Sequence, residues 1–269
     1  MKHTYASDCH NHSCCSPDGD HSIPAMLARA KELGLYAWTL TDHCECQKFE
    51  TRYRERVRQA WEEMAGVEAG GLRFCRGIEL GQPMEALDAA QEALSGRDYD
   101  FVIGSLHNLR DKPDFYYMDA ANMDSEALHA LLDAYWDEIL NMIAWGGFDS
   151  LGHLTYPLRY IQGERGVPVD MSRHAEKLDQ VLAALVQAEK ALEVNTSGLR
   201  QKLGETMPNL PILKRYHALG GRLVTLGSDA HCTEDLGKGI DQGMDLLKEA
   251  GFREFTIYEK RQPVMLPLE

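Results

Sequence analysis

Thr4-Tyr5-Ala6-Ser7-Asp8-Cys9-His10-Asn11-His12 is the stretch on which the reading of this 269-residue chain turns. A short run of β-forming residues leads directly into two imidazoles. Residues two apart on an extended strand point to the same face, so His10 and His12 can present both rings to one ion. The pattern recurs along the chain: Thr41-Asp42-His43, Gly77-Ile78-Glu79, Ser105-Leu106-His107, Gly152-His153 and Ser228-Asp229-Ala230-His231 each close an apolar run. Asp229 and His231 repeat the two-apart spacing at the far end. Imidazole nitrogen and carboxylate oxygen are the ligands of zinc, iron and manganese, and a set with far more than four donors implies more than one ion. Glu79 is a carboxylate able to bridge two cations in such a multinuclear centre.

Working outward, seven runs have the composition of strands: residues 4–9, 36–41, 72–78, 101–104, 148–151, 191–194 and 222–226. Amphipathic helical patterns lie between or after them, over residues 23–33, 47–64, 84–94, 125–145, 172–190, 210–219 and 236–250. Pro24 near the start of the first and Gly34 just past its end are helix start and stop signals. Strand and helix in alternation predict a parallel sheet, which in its closed form delivers the last residues of every strand to one rim of a barrel. Donors spread over two hundred residues would then meet because each follows its own strand.

With 44% hydrophobic residues and no Pro/Ser-rich or charged linker, residues 1–269 are expected to form a single α/β domain. The formal net charge of -14 argues against a nucleic-acid partner, which is held mainly by Lys and Arg. An anionic substrate therefore needs a local positive patch. No basic segment leads into an apolar core at the N-terminus, and no run approaches the roughly twenty apolar residues of a membrane span, so a cytoplasmic protein without a membrane partner is expected. Seven cysteines, an odd number, are read as reduced thiols. Cys9, Cys44 and Cys232 adjoin His10, His43 and His231, but imidazoles and carboxylates fill the site without them.

Taken together, His10-Asn11-His12-Ser13 with Ser16-Pro17-Asp18-Gly19, Thr41-Asp42-His43, Gly77-Ile78-Glu79, Gly104-Ser105-Leu106-His107, Gly152-His153, the Glu193 to Arg200 segment with Asn195 and Ser197, and Gly227-Ser228-Asp229-Ala230-His231 resemble the PHP (polymerase and histidinol phosphatase) metal-dependent phosphoesterases, specifically their histidinol-phosphate phosphatases. The resemblance spans nearly the whole chain. It implies a distorted (β/α)7 TIM-like barrel with three metal ions, zinc, iron or manganese, at the C-terminal rim of the strands. His10, His12, Glu79 and Asp229 would take the first ion; Glu79, His107 and His153 the second; Asp18, His43 and His231 the third. Asp18 stands where many relatives in the wider superfamily place a histidine, and histidinol phosphatases resemble this chain in using aspartate. Arg159 and Arg200 look like the phosphate-binding arginines of those enzymes, matching the bidentate fork that phosphate favours.

The reaction so implied is hydrolysis of L-histidinol phosphate to L-histidinol and inorganic phosphate by a metal-activated water, as in histidine biosynthesis. Asp18, Asp229 and His231 are all candidates for donating a proton to the leaving group. A loop over residues 108–119 carries Asp111, Asp114 and Asp119 beside Phe115, Tyr116 and Tyr117 and is expected to act as a lid that recognises the amine and ring of the substrate. His129, His174 and His217 are read as core or helix-surface residues, and His21 as a rim group near Asp18. Rival readings are a phosphoesterase acting on phosphotyrosine or a nucleotide, an amidohydrolase, which also opens with His-x-His, and a catalytically silent metal module. The oligomeric state is not legible in the sequence.

Overall fold

The computed structural model describes residues 1–269. Its core is a ring of parallel strands in the order β1 (Ser7–Asp8), β2 (Ala37–Leu40), β4 (Arg73–Gly81), β5 (Phe101–Ser105), β6 (Ser150–Leu151), β7 (Ala191–Asn195) and β8 (Val224–Gly227), with β3 (His43–Glu45) pairing with the second half of β4. The ring is nearly closed, since a parallel bridge joins Asn11 to Ala230 and the Asp229 amide donates to the carbonyl of His10 at 2.8 Å. All seven expected strands are present. β5 and β7 are buried along their whole length, as parallel strands covered on both faces must be.

Helices α1 (Ile23–Glu32), α2 (Arg54–Ala65), α3 (Leu87–Leu94), α4 (Ser125–Trp145), the single turn α5 (Tyr156–Leu158), α6 (Ala175–Gln187), α7 (Leu210–Ala218) and α8 (Ile240–Ala250) connect the strands. Helix α4 has the expected limits because both ends are chemically marked. The Asp124 side chain accepts from the Ala127 amide at 2.7 Å, and Gly146 ends the helix in the left-handed conformation. One apolar core of 62 buried residues, including Trp38, Phe101, Trp136 and Phe148, fills the barrel and the strand–helix interface.

Three expectations need correction. The helix expected over 47–64 begins as a 3-10 turn (Cys46–Lys48) and a wide turn (Phe49–Tyr53) before α2. α8 starts at Ile240, not 236, because Gly237 and Gly239 hold left-handed backbone there. A C-terminal antiparallel hairpin, β9 (Glu254–Glu259) and β10 (Gln262–Pro267), was not anticipated. Its two-residue turn is Lys260-Arg261, both with positive φ, so the usual Asn-Gly signature of that turn is missing.

Candidate metal centre

Eight of the nine candidate donors sit beside a strand end, and Asp18 lies on the loop between β1 and α1. His10 and His12 follow β1, His43 opens β3, Glu79 lies near the end of β4, His107 follows β5, His153 follows β6, and Asp229 and His231 follow β8. Glu79 is fully buried at the middle of the group. Its Oε1 lies 3.5 Å from His10 Nε2, 3.3 Å from His107 Nε2 and 3.0 Å from His153 Nε2, while its Oε2 lies 3.8 Å from His12 Nε2 and 2.5 Å from His43 Nδ1. Asp229 Oδ1 stands 3.7 Å from His10 Nε2 and 3.4 Å from His12 Nε2. Asp18 Oδ2 stands 3.6 Å from His43 Nε2 and 3.5 Å from His231 Nε2. The nine side chains converge on one cluster, enclosed around Glu79 and open to solvent at Asp18, whose side chain is 59% exposed.

The chemistry of these contacts calls for cations. His107 Nε2 faces His153 Nε2 at 3.2 Å, and His43 Nε2 faces His231 Nε2 at 3.3 Å; two neutral imidazole lone pairs at that distance repel unless a proton or a metal lies between them. His10 Nε2, His12 Nε2, His43 Nδ1, His153 Nδ1 and Glu79 Oε2 are buried without a protein hydrogen bond, although buried polar atoms are nearly always paired. Donor triads close enough to share an ion include His10, His12 and Glu79; His12, His43 and His231; and Glu79, His107 and His153. Burial disfavours charge on His10, yet the carboxylates of Glu193, Glu79 and Asp229 outweigh it and push its pKa well up; His43 and His107 behave likewise. Burial and the neighbouring His43 and His231 rings hold His12 well below the usual range. The buried carboxylates thus draw positive charge to the rings around them, and metal ions bound by deprotonated imidazoles would supply it in place of protons.

Several motif residues, and Glu45 outside the motifs, orient these donors in roles that the sequence does not assign. Glu193 Oε1 accepts from His10 Nδ1 at 2.6 Å, and its Oε2 accepts the His153 amide at 2.6 Å. Glu45 Oε1 accepts from His107 Nδ1 at 2.9 Å and, with His43 and His107, forms a further possible donor triad. Asn195 Nδ2 and Ser197 Oγ each donate to Asp229 Oδ2 at 3.3 Å, so both residues support the site in addition to shaping a turn. Ser13 and Ser16 bond the buried carboxylate of Asp42, which ties the His10 to Asp18 segment to the end of β2. Glu193 lay inside a motif already singled out, but a carboxylate's role as support rather than ligand depends on which ring it faces. Gly227 is required by close approach, since a Cβ there would lie 2.4 Å from the His10 Cβ and 2.5 Å from Glu193 Oε1. His153 and Asp229 adopt positive φ values of 20° and 54°, strained for residues with side chains and a recurrent mark of functional positions.

The two arginines differ. The guanidinium of Arg159, in the turn after α5, has no hydrogen bond to the protein; it packs over the rings of Tyr160 at 5.3 Å and Tyr156 at 5.9 Å and faces the cleft beside Asp229 and His231. Arg200 lines an adjoining hollow with Arg159, Asp229 and His231 but spends three donors, on the carbonyls of Ser228 and Asp229 and on Asp235. From the expected lid, Asp114, Tyr116 and Tyr117 line the cleft. Asp111 and Asp119 are exposed to solvent outside the cleft, and Phe115 is buried in the core. His21 accepts from the Thr233 amide at 3.3 Å and takes no place in the donor groups. No cysteine sulfur belongs to any of them either.

A rim of histidines and acids at the C-terminal ends of a parallel barrel defines a metal-binding barrel hydrolase. Residues 8–197 match the model of the PHP domain, and the chain belongs to that family. A protein of Thermotoga maritima described as a probable histidinol-phosphatase is 29% identical over 256 residues, spanning 94% of this chain and 96% of its own. The histidinol-phosphatase of Lactococcus lactis is 26% identical over 93% of each chain. In structure, the chain resembles the histidinol phosphate phosphatase of Lactococcus lactis, solved with zinc, L-histidinol and phosphate. That likeness has a TM-score of 0.74 at 23% identity and covers 96% of this chain and 98% of the other. No helix is long and apolar enough to cross a membrane.

Proposed function

We propose that this chain is a phosphoric monoester hydrolase that converts L-histidinol phosphate to L-histidinol and inorganic phosphate, and that residues 1–269 act as one domain around the single large core. The observation that carries the reaction class is an unpaired guanidinium, Arg159, beside nine converging metal donors. The choice of histidinol phosphate rests on the relatives, two of which are described as histidinol-phosphatases. Three ions of the zinc, iron or manganese type suit the donors: His10, His12, Glu79 and Asp229; Glu79, His107 and His153; Asp18, His43 and His231. Such ions, when bound, supply Lewis acidity that makes water nucleophilic near neutral pH and offsets charge on the phosphoryl oxygens.

The chain's own residues do the rest. Arg159 binds the phosphate with its planar fork, held in place by the Tyr156 and Tyr160 rings. Arg200 keeps two N–H donors free for the same anion while fixing the loop that bears Asp229. Glu193 and Glu45 hold the rings of His10 and His107 in one tautomer. Asp114, with Tyr116 and Tyr117 at the mouth, meets the ammonium and imidazole of the leaving alcohol. Of the three residues considered for protonating that alcohol, Asp18 and His231 stand at the solvent side, whereas Asp229 is enclosed and already hydrogen-bonded by Asn195 and Ser197.

The deciding assay measures phosphate release by the metal-loaded protein from histidinol phosphate, phosphotyrosine and nucleoside monophosphates, beside a panel of amides. The highest kcat/KM is expected for histidinol phosphate. A better phosphotyrosine or nucleotide substrate would overturn the substrate, and amide hydrolysis without phosphatase activity would overturn the reaction class.

A further inference from the structure

At the pole opposite the metal donors, where β4 and β5 begin, a concave space of about 450 Å³ is lined by Arg76, Arg97, Asp98, Tyr99, Lys260 and Arg261. Arg76 lies three residues before Glu79 on β4, so roughly 10 Å of strand separates this space from the metal donors. The unanticipated hairpin builds its floor: the Lys260 amide donates to Asp100 Oδ1 at 3.1 Å and the Arg261 amide to the Asp100 carbonyl at 2.9 Å, which pins the turn beneath β5.

Four cations meeting in one hollow is unusual for a chain of net charge -14. On the outer surface Arg54, Arg58, Arg173 and Arg215 are each matched by carboxylates. Here the partners are mostly neutral. Arg97 Nη1 donates to the carbonyls of Glu92, Ala93 and Ser95, and Arg76 Nη2 to the carbonyl of Asp98. A carbonyl satisfies a donor without cancelling its charge. Arg261 is balanced by the buried carboxylate of Asp149 and also bonds the Gly147 carbonyl, and Asp100 lies 3.9 Å from Arg76 Nε. That leaves the charges of Arg97 and Lys260 uncompensated, with Asp98 as the acid on the lining. Arg76 Nη1, Arg97 Nε and Nη2, Arg261 Nη1 and Lys260 Nζ have no protein acceptor, and all belong to residues lining the same hollow.

We infer that this hollow binds a small polyanion carrying adjacent phosphate groups, of the pyrophosphate or nucleoside polyphosphate class. Its volume falls in the range of small-molecule sites, and several unspent N–H donors around it suit several phosphoryl oxygens better than one. The interaction is separate from catalysis at the metal rim, where Arg159, Lys48 and Arg52 line the cleft.

The metal-loaded full chain would be titrated calorimetrically with inorganic pyrophosphate and, separately, with ATP, in magnesium-containing buffer. The expected result is a site, additional to binding at the metal rim, whose affinity falls about tenfold or more in Arg97→Ala and in Lys260→Glu, weakens with added salt, and is unchanged in Arg159→Ala. Lys260 is exposed on the hairpin turn, so its variant reads out the site even if Arg97→Ala loosens the end of α3. Retained phosphate release by Lys260→Glu shows that the variant is folded. Absence of binding by both probes, equal affinity in Lys260→Glu, or loss of binding in Arg159→Ala alone would overturn the inference.

Discussion

At the scale of single residues, Arg159 and Arg200 separate two roles that the sequence assigned jointly. Arg159 has no protein partner, so Arg159→Ala should cost about 1.5–3 kcal/mol of substrate binding, seen as a KM raised roughly ten- to hundredfold with bound metal unchanged. Arg200 also holds the carbonyls of Ser228 and Asp229, so Arg200→Ala should raise KM and lower metal content together. Equal metal content in the two variants, measured by elemental analysis, would show that Arg200 does not support Asp229. Glu193 offers a second test of support without ligation. Because it accepts from both His10 and the His153 amide, Glu193→Gln should weaken metal binding roughly 10- to 100-fold in chelator competition. Unchanged affinity would remove it from the site.

At the scale of elements, six of the seven ring strands deliver the candidate donors from their ends or following loops, whereas β7 supplies the supporting Glu193 and Asn195, and the helices between set the spacing. The α4–α6 junction carries a feature outside the site: His129 Nδ1 meets His174 Nε2 at 2.8 Å, and His174 Nδ1 meets Asp133 Oδ1 at 3.0 Å. Burial, aided by His129 and Arg173, holds the His174 pKa below its ordinary value despite Asp133. The unfolded chain therefore takes up this proton first, and the contribution of His174 to stability is present above about pH 6.5 and lost as pH falls from there toward the folded-state pKa. Urea midpoints should drop less between pH 7.5 and 5.5 in His174→Phe than in the parent chain. An identical drop would mean that His174 titrates alike in both states. Elements also show where the sequence was legible. The strands were, since apolar runs closed by donors mark them; the hairpin was not, because Lys260-Arg261 adopts left-handed backbone without glycine or asparagine.

At the scale of the whole molecule, closing the barrel brings nine donors and their supporting carboxylates into a largely buried cluster whose like-charged groups are held a few ångströms apart. Metal binding to the folded state alone would add about 4 kcal/mol when free metal stands a thousandfold above Kd. Exhaustive chelation should accordingly abolish phosphate release and lower Tm by several degrees, both recovering on readdition of zinc, iron or manganese. Full activity after chelation would remove metals from the mechanism.

The one-dimensional pattern by itself determined which side chains are candidate donors, because imidazole and carboxylate chemistry is local and most of them follow the end of a strand. Only the tertiary structure decided how they divide. Whether an acid stands among the candidate donors or steadies a ring, as Glu79 and Glu193 respectively do, and whether an arginine is free or spent, depends on distances across the barrel between residues far apart in the chain. Those distances are set by closure of the ring, which no local propensity encodes.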